Sequence, residues 1–312
     1  MRQTIEHQYI LLRDLWKAQK KPAWGAMSDA IRLTTRALEM APYDASLKDP
    51  PRLTVITPSF NQGQFLERTI LSVLNQNYPN LEYMIIDGGS SDGSVNIIRA
   101  YEPYLAYWVS EQDKGQAHAI NKGLRRATGK WAAFQNSDDL YVPGAFAAFS
   151  EAARDNPEAD LFQGHLLRVD EADNVFDVRL ATYPHLWTQL SLGSQIHNQA
   201  AFWRLTLSEK TAGMQEDLRF CFDFDFFTRL LLKKARVVTI DRYIGAFRSH
   251  AEAKSSTILD VAVQEHRKVI SDLSSASRKV KLLSSIPAFL ARAARAVRII
   301  LDGRLWYFGR TL

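Results

Sequence analysis

Apolar positions between residues 52 and 136 switch repeatedly between two periods. "LTVIT" (53–57) is a short β-branched run, and "QFLERTILSVLNQ" then carries apolar residues three and four apart. "LEYMIID" (81–87) and "VNIIRAYE" repeat the pair, as do "YLAYWVSE" (104–111) and "GQAHAINKGLRRAT", before a fourth strand-like run at "KWAAFQN" (130–136). Strand and helix alternating in this way predict βαβ units and an α/β fold, a mostly parallel sheet flanked by helices.

The second half is less regular. "ADLFQGHLLRVD" and "NVFDVRLATY" alternate as strands around a turn at "EADN", predicting an antiparallel extension; "IHNQAAFWR" reads as a strand, "FDFDFFTRLLLKK" as a helix and "RVVTIDRYIGAFRSH" as strands near the sheet. Residues 1–50 read as a helical extension, and "APYDASLKDPPR" breaks that pattern with Pro42, Pro50 and Pro51. The expected organisation is an extension over 1–50, a main domain over 51–255 (51–142 and 143–255 as its halves) and a helical C-terminal region over 256–312.

Ligands in such sheets lie beyond the carboxyl ends of the strands. Polar residues fall there after all four early strands: Pro58, Ser59 and Asn61; Asp87; Glu111 and Asp113; Asn136, Asp138 and Asp139. Two adjacent carboxylates repel unless water or a cation takes up the charge. As hard oxygen ligands at a strand end they suit Mg²⁺ or Mn²⁺, which bind through one or two carboxylates plus substrate phosphates, so a phosphorylated ligand is expected. A solvated turn is the plainer alternative. The chain has no GxxxxGK[ST], and "DGGSSDG" lacks the GxGxxG spacing, which disfavours P-loop and dinucleotide sites. A methyltransferase binding its nucleoside cofactor at "IIDGGSSDG" is a further alternative, but it leaves the aspartate pair unexplained.

With 312 residues, 46% of them hydrophobic and 23% charged, the chain is long enough for one large domain with appendages. Its single cysteine, Cys221, flanked by Phe220 and Phe222, excludes an internal disulfide and reads as a small buried hydrophobe. The charged first thirty residues do not resemble a signal peptide, and no apolar run of transmembrane length occurs, so a cytoplasmic location is expected. The net charge of +5 is concentrated from Arg278 onward, where eight Lys or Arg face Asp302 alone. A basic tail on a slightly acidic body argues against a nucleic-acid-binding protein.

"LTVITPSFNQGQFLERTILSVLNQNYPNLEYMIIDGGSSDGS", followed by "SEQDKGQAHAINKGLRRATGKWAAFQNSDDLY", resembles the nucleotide-sugar-binding half of inverting glycosyltransferases of family 2, which have the GT-A fold. The resemblance covers roughly residues 52–250 and is looser at "FDFDFFTRL" and "GAFRSHAEAKSS". It implies transfer of a sugar from a nucleotide-sugar, UDP favoured with GDP and dTDP open, to a saccharide or lipid-linked acceptor in cell-envelope polysaccharide synthesis, with no nucleic acid as partner. It further implies that Pro58, Ser59 and Asn61 line the nucleoside pocket, that Asp87 accepts from base or ribose, and that Asp113, Lys114 and Asn121 approach the nucleotide and sugar. In "NSDD" the implied direct ligand of Mn²⁺ or Mg²⁺ is Asp139, with Asp138 contacting ribose, sugar or metal; the two could exchange roles. His250 matches a diphosphate or metal contact, and His197 with Gln199 borders the acceptor or sugar site. The implied base is Asp223, with Asp225 as the alternative, and Phe222 stands where the family often has Glu. A degenerate, membrane-attached partner protein is the non-enzymatic alternative.

In the tail, Leu282, Leu283, Ile286, Phe289, Leu290, Ala293, Val297, Ile300 and Leu301 fall within roughly 120° of a helical wheel. Lys281, Arg292, Arg295 and Arg298 take the other side, Pro287 fits the first turn after a cap at Ser284 or Ser285, and "LWYF" follows. One basic amphipathic helix of this kind either packs on the domain or lies on an anionic membrane. In the second case the acceptor is expected to be lipid-linked, at the inner face of a bacterial membrane.

Overall fold

The computed structural model describes residues 49–301. The helical reading of 1–48 and the aromatic run at 305–308 lie outside the described residues.

Four parallel strands form one half of the sheet: β1 (Leu53–Ser59), β2 (Leu81–Asp87), β3 (Tyr107–Ser110) and β4 (Trp131–Phe134), in the order β3-β2-β1-β4. Helices α1 (Gly63–Leu74), α2 (Ser94–Tyr101) and α3 (Gln116–Arg126) connect them, as the alternating periods predict. β1 is buried along its whole length because helices cover both faces. Leu53 and Val55 pack with Leu66 and Ile70 of α1, whereas Ile56 packs with Ala117 and Ile120 of α3 on the other side. β1 runs on past the expected "LTVIT" through Pro58 and Ser59, so these two are strand residues and not a turn. Pairing with β4 ends at Ile56, and the missing N–H of Pro58 therefore removes no bond on that side.

The sheet continues with β5 (Leu140–Tyr141), β6 (Leu161–Val169), β7 (Val175–Arg179), β8 (Ala201–Arg204) and β9 (Val237–Arg248). β8 pairs antiparallel with β4 and with β6, β9 runs parallel to β6 and carries β5 on its other edge, and β6 and β7 form the expected hairpin. "IHNQAAFWR" is only partly strand: Asn198–Ala200 make a 3-10 turn before β8, so His197 and Gln199 precede the strand. Helices α4 (Ala145–Asp155), α5 (Leu186–Leu192), α6 (Leu205–Lys210) and α7 (Phe222–Leu232) complete the domain.

The C-terminal region contains α8 (Lys254–Thr257), α9 (Leu259–Ala276), α10 (Arg278–Ser284) and α11 (Ala288–Leu301). The single helix expected over 282–301 is two helices, because Pro287 has no N–H to continue the ladder and sits just before α11, accepting at its carbonyl from Leu290 N (3.0 Å). No helix among the described residues is long and apolar enough to cross a membrane.

Close packing of α3 on the sheet rests on Gly123, where an added Cβ would come 2.7 Å from Ile56 Cγ2. Gly123→Leu is therefore expected to overpack this contact and cost about 1–3 kcal/mol. The check is the thermal unfolding midpoint, which should fall relative to the wild type.

Candidate active site

The end of β4 carries the acidic pair, and the structure separates its members. Asp139 is buried, and both of its oxygens are engaged: Oδ2 accepts from Asn136 Nδ2 (2.8 Å) and Gln199 Nε2 (2.8 Å), and Oδ1 from Arg248 N (2.9 Å). Burial, and then the neighbouring Asp138 charge, push its carboxyl up to about 7 against these three donors. Asp138, by contrast, keeps 21% of its side chain exposed, and its Oδ2 lies 3.0 Å from His250 Nε2. This hydrogen bond holds the imidazole above its ordinary pKa. Gln199, expected on the acceptor side, is a support for Asp139 instead.

Arg248 lies beneath the pair, fully buried at the end of β9. Its Nε donates to Asp138 O (2.8 Å), its Nη1 pairs with Asp173 in the β6–β7 turn, and its guanidinium covers the Phe65 ring. Asp173 is also paired with Arg68 of α1 (2.8 Å). Arg248 thereby fixes the Asp138 carbonyl by its guanidinium and the Asp139 carboxylate by its backbone N–H, and His250 follows two residues on. Arg248 and Asp173 were not anticipated; the available signal was an arginine two residues before the singled-out histidine in "FRSH".

The nucleoside side also differs from expectation. Asp87 is fully buried, with Oδ2 accepting from Gly89 N (3.1 Å), Ser90 N (2.9 Å) and Ser110 Oγ (2.6 Å) and Oδ1 from Ser90 Oγ (2.5 Å). These bonds shape the loop after β2. Asn61, exposed and at φ 51°, clasps the same loop through Ser90 Oγ (2.8 Å) and Ser91 N (2.9 Å). Ser59 is buried there with a partnerless Oγ, beside buried Pro58. Asp113 accepts from Gly115 N (2.7 Å) and lies so close to Gly88 that a Cβ there would meet its Oδ2 at 2.9 Å; Lys114 next to it is exposed. Asn121 does not reach this side: it is buried, bonded to Met214 N and O (2.9 Å each) and Glu216 Oε1 (2.9 Å).

The two candidate bases on α7 are distinguished in the same way as the acidic pair. Asp225 is buried and paired with Arg229 Nη2 (2.6 Å), and that guanidinium also donates to the Thr211 and Gly213 carbonyls. Asp225 is therefore a strut. Asp223 lines a cleft of about 490 Å³ with Ser191 and Ser194 at the end of α5, Phe220 and Phe224, and Ala262 and His266 of α9. Burial pushes its carboxyl up to about 6, partly offset by the bond from Phe224 N (2.7 Å). Glu265 of α9 accepts from three successive backbone N–H groups, Arg219, Phe220 and Cys221 (2.7–2.9 Å), and so fixes the approach to α7. Cys221 is buried, as expected, which pushes its thiol up to about 12. His197 is held neutral, with burial and then Arg295 and Arg179 lowering its pKa to about 4.

Lys254 joins the two sides. Its Nζ donates to Gln116 Oε1 (2.7 Å) and reaches Arg219 O (3.5 Å), and it feels the charges of Asp138 and Asp113. Gln116 in turn donates to Asn136 Oδ1 (2.5 Å). This chain of contacts runs from Asn136, beside the acidic pair, to Arg219, the neighbour of the Phe220 that lines the Asp223 cleft.

A mostly parallel sheet flanked by helices, with an acidic pair at its rim and antiparallel strands extending it, matches a GT-A-like fold. The family model described as glycosyl transferase family 2 matches residues 54–212, and the chain belongs to that family. It is a glycosyltransferase that takes its sugar from a nucleotide-sugar donor. This sets the methyltransferase alternative aside. An uncharacterized glycosyltransferase of Mycobacterium tuberculosis is 33% identical over 186 residues, 58% of this chain and 70% of the relative. A Bacillus subtilis glycosyltransferase named, provisionally, for teichuronic acid biosynthesis is 35% identical over 126 residues, 39% of this chain and 49% of its own. Among solved structures, S. aureus TarS with UDP-GlcNAc superposes with a TM-score of 0.55 at 18% identity, covering 64% of this chain and 59% of its own. A Pyrobaculum calidifontis mannosyltransferase with GDP-Man and Mn²⁺ gives 0.50 at 19% identity over 99% and 96%.

The different surroundings of the adjacent aspartates have a measurable consequence. Asp139→Ala leaves three donors facing an apolar methyl and is expected to cost about 2–3 kcal/mol or more. Asp138→Ala should leave the thermal midpoint close to that of the wild type. Calorimetric unfolding of both variants checks this, and equal midpoints would contradict it.

Proposed function

We propose that this chain is a metal-dependent, inverting glycosyltransferase that builds a cell-envelope saccharide, with Asp138 and His250 at the donor and Asp223 as base. The observation carrying this reading is the sorting by exposure: of each aspartate pair, one member is buried in hydrogen bonds and the other, Asp138 or Asp223, faces the site. The relative named for teichuronic acid biosynthesis supports an envelope saccharide as product, and the neighbour bound to UDP-GlcNAc supports UDP as the nucleotide.

The donor set fits a divalent ion. Among the described residues no cluster of three or more His, Cys, Asp or Glu is present, so Asp138 and His250 would hold the ion together with oxygens of the substrate diphosphate. Bound there, it would supply positive charge at the leaving group. The neighbour solved with Mn²⁺ supports that ion.

Asp223 takes the proton of the acceptor hydroxyl. The hydroxyl oxygen forms its bond to the anomeric carbon from the face opposite the diphosphate, and the C–O bond to the diphosphate breaks with its electron pair leaving on the phosphate oxygen. Lys254 offers a cation between the two sides, and Asp113 beside Gly88 bounds the nucleoside end.

The sign of the pH dependence follows from Asp223. A base must be deprotonated, so turnover, followed as nucleotide release, should fall as pH drops through about 6. Asp223→Asn should lower turnover by about 10²–10⁴-fold and abolish that pH step, while nucleotide affinity is retained. Calorimetry with UDP, GDP and dTDP, each with and without Mn²⁺, should show one nucleotide bound in a metal-dependent way and lost in Asp138→Ala. Absence of metal-dependent binding to all three would overturn the assignment and favour a degenerate partner protein.

A further inference from the structure

The transfer site leaves α10 and α11 unused, and the orientation of α11 is opposite to that of an ordinary packed helix. Ala291 and Ile299 are buried, and Arg295 Nη2 between them donates to Leu180 O (3.2 Å), so this four-residue spacing marks the side against the body. At about 100° per residue, Phe289, Ala293, Val297 and Ile300 lie on the far side. The structure leaves that side in solvent, with Phe289 65%, Val297 54% and Leu301 74% exposed, and α10 adds Leu282 at 70%. Arg292 and Arg298 border the apolar strip on its two edges, both exposed. Between Asp272 and Asp302 the chain carries six Lys or Arg and no acidic residue.

An apolar strip between cationic borders complements a surface that is apolar inside and anionic at its rim. We propose that the α10–α11 pair is a docking surface for an anionic lipid bilayer. At 14 residues, α11 is about 21 Å long, too short to span a bilayer core of about 30 Å, so it lies in the interface. Both helices pack on α5, where Ser191 Oγ meets Ile286 O (3.4 Å), and the end of α5 lines the Asp223 cleft. Docking therefore brings the cleft to the membrane, where a lipid-linked saccharide would be presented; this last step rests on the function proposed above.

The test is co-sedimentation of the full chain with vesicles of phosphatidylcholine alone or with phosphatidylglycerol added. The wild type is expected to bind the anionic vesicles in a salt-sensitive way. Phe289→Glu/Val297→Glu/Ile300→Glu, which alters side chains already in water, should weaken that binding by about tenfold or more with an unchanged thermal midpoint. Arg292→Glu/Arg298→Glu should weaken it as well. A wild type that ignores anionic vesicles, or a triple variant that binds as well as wild type, overturns the proposal. A wild-type dimer that the triple variant converts to monomer, without vesicle binding, assigns the face to a second copy of the chain and also overturns it. Metal-dependent nucleotide binding of the triple variant separates this result from the proposed chemistry, since its loss in the wild type would sink that chemistry alone.

Discussion

The site depends on a carboxylate that touches no solvent. Taking the charge of Asp139 out of water costs several kcal/mol, which three directed donors and the nearby Arg248 cation offset only in part, so the carboxyl is still pushed up to about 7. The donors come from three separate parts of the chain: the loop after β4, the 3-10 turn before β8 and the end of β9. Loss of any one leaves a buried charge short of a partner, so the three segments are held in register together. Asp138 and His250 are each one or two residues from this anchor. Their position is a by-product of the burial of Asp139, which is how a partly exposed pair can be held still without many contacts of its own.

A second buried pair sets the other side. Asp225 and Arg229 fix the loop at 211–214 through two carbonyls, and Asn121 holds the next residue, Met214, from α3. Helices α3 and α7 are thereby connected through one loop. Glu265 adds a third fixed point from α9. Helix α9, which lies beyond residue 255, is thereby tied to the approach to α7.

Periodicity made the first four strands and their helices legible, since a buried parallel strand and an amphipathic helix each leave a local signature. α4 and α5 were missed because "AFAAFSEAARD" and "LWTQLSL" follow strands in a part of the chain without a regular alternation. The rim was legible for the same reason as the strands: chain order places Asp87, Asp113 and Asp138 at strand ends. Which carboxylate faces outward was not legible. Asp138 and Asp139 differ by one step along the backbone, and their surroundings are decided by Gln199 and Arg248, about 60 and 110 residues away. Asp87, Asn121 and Gln199 share a feature that chain order does not reveal: each has hydrogen-bond partners in distant parts of the protein.

That feature has a physical reason. A polar side chain at a strand end must be satisfied, and either a ligand or the backbone of a neighbouring loop can do so. Function therefore requires a division in which most rim residues stiffen the loops and a few stay open. Here Asp87, Asp139 and Asp225 are saturated, while Asp138 and Asp223 are not. The division also tunes the chemistry: the enclosure that lifts Asp223 to about 6 makes it a stronger base than an ordinary aspartate, and still leaves it ionised at neutral pH. Hydrogen-bond donors aimed at it would lower that basicity.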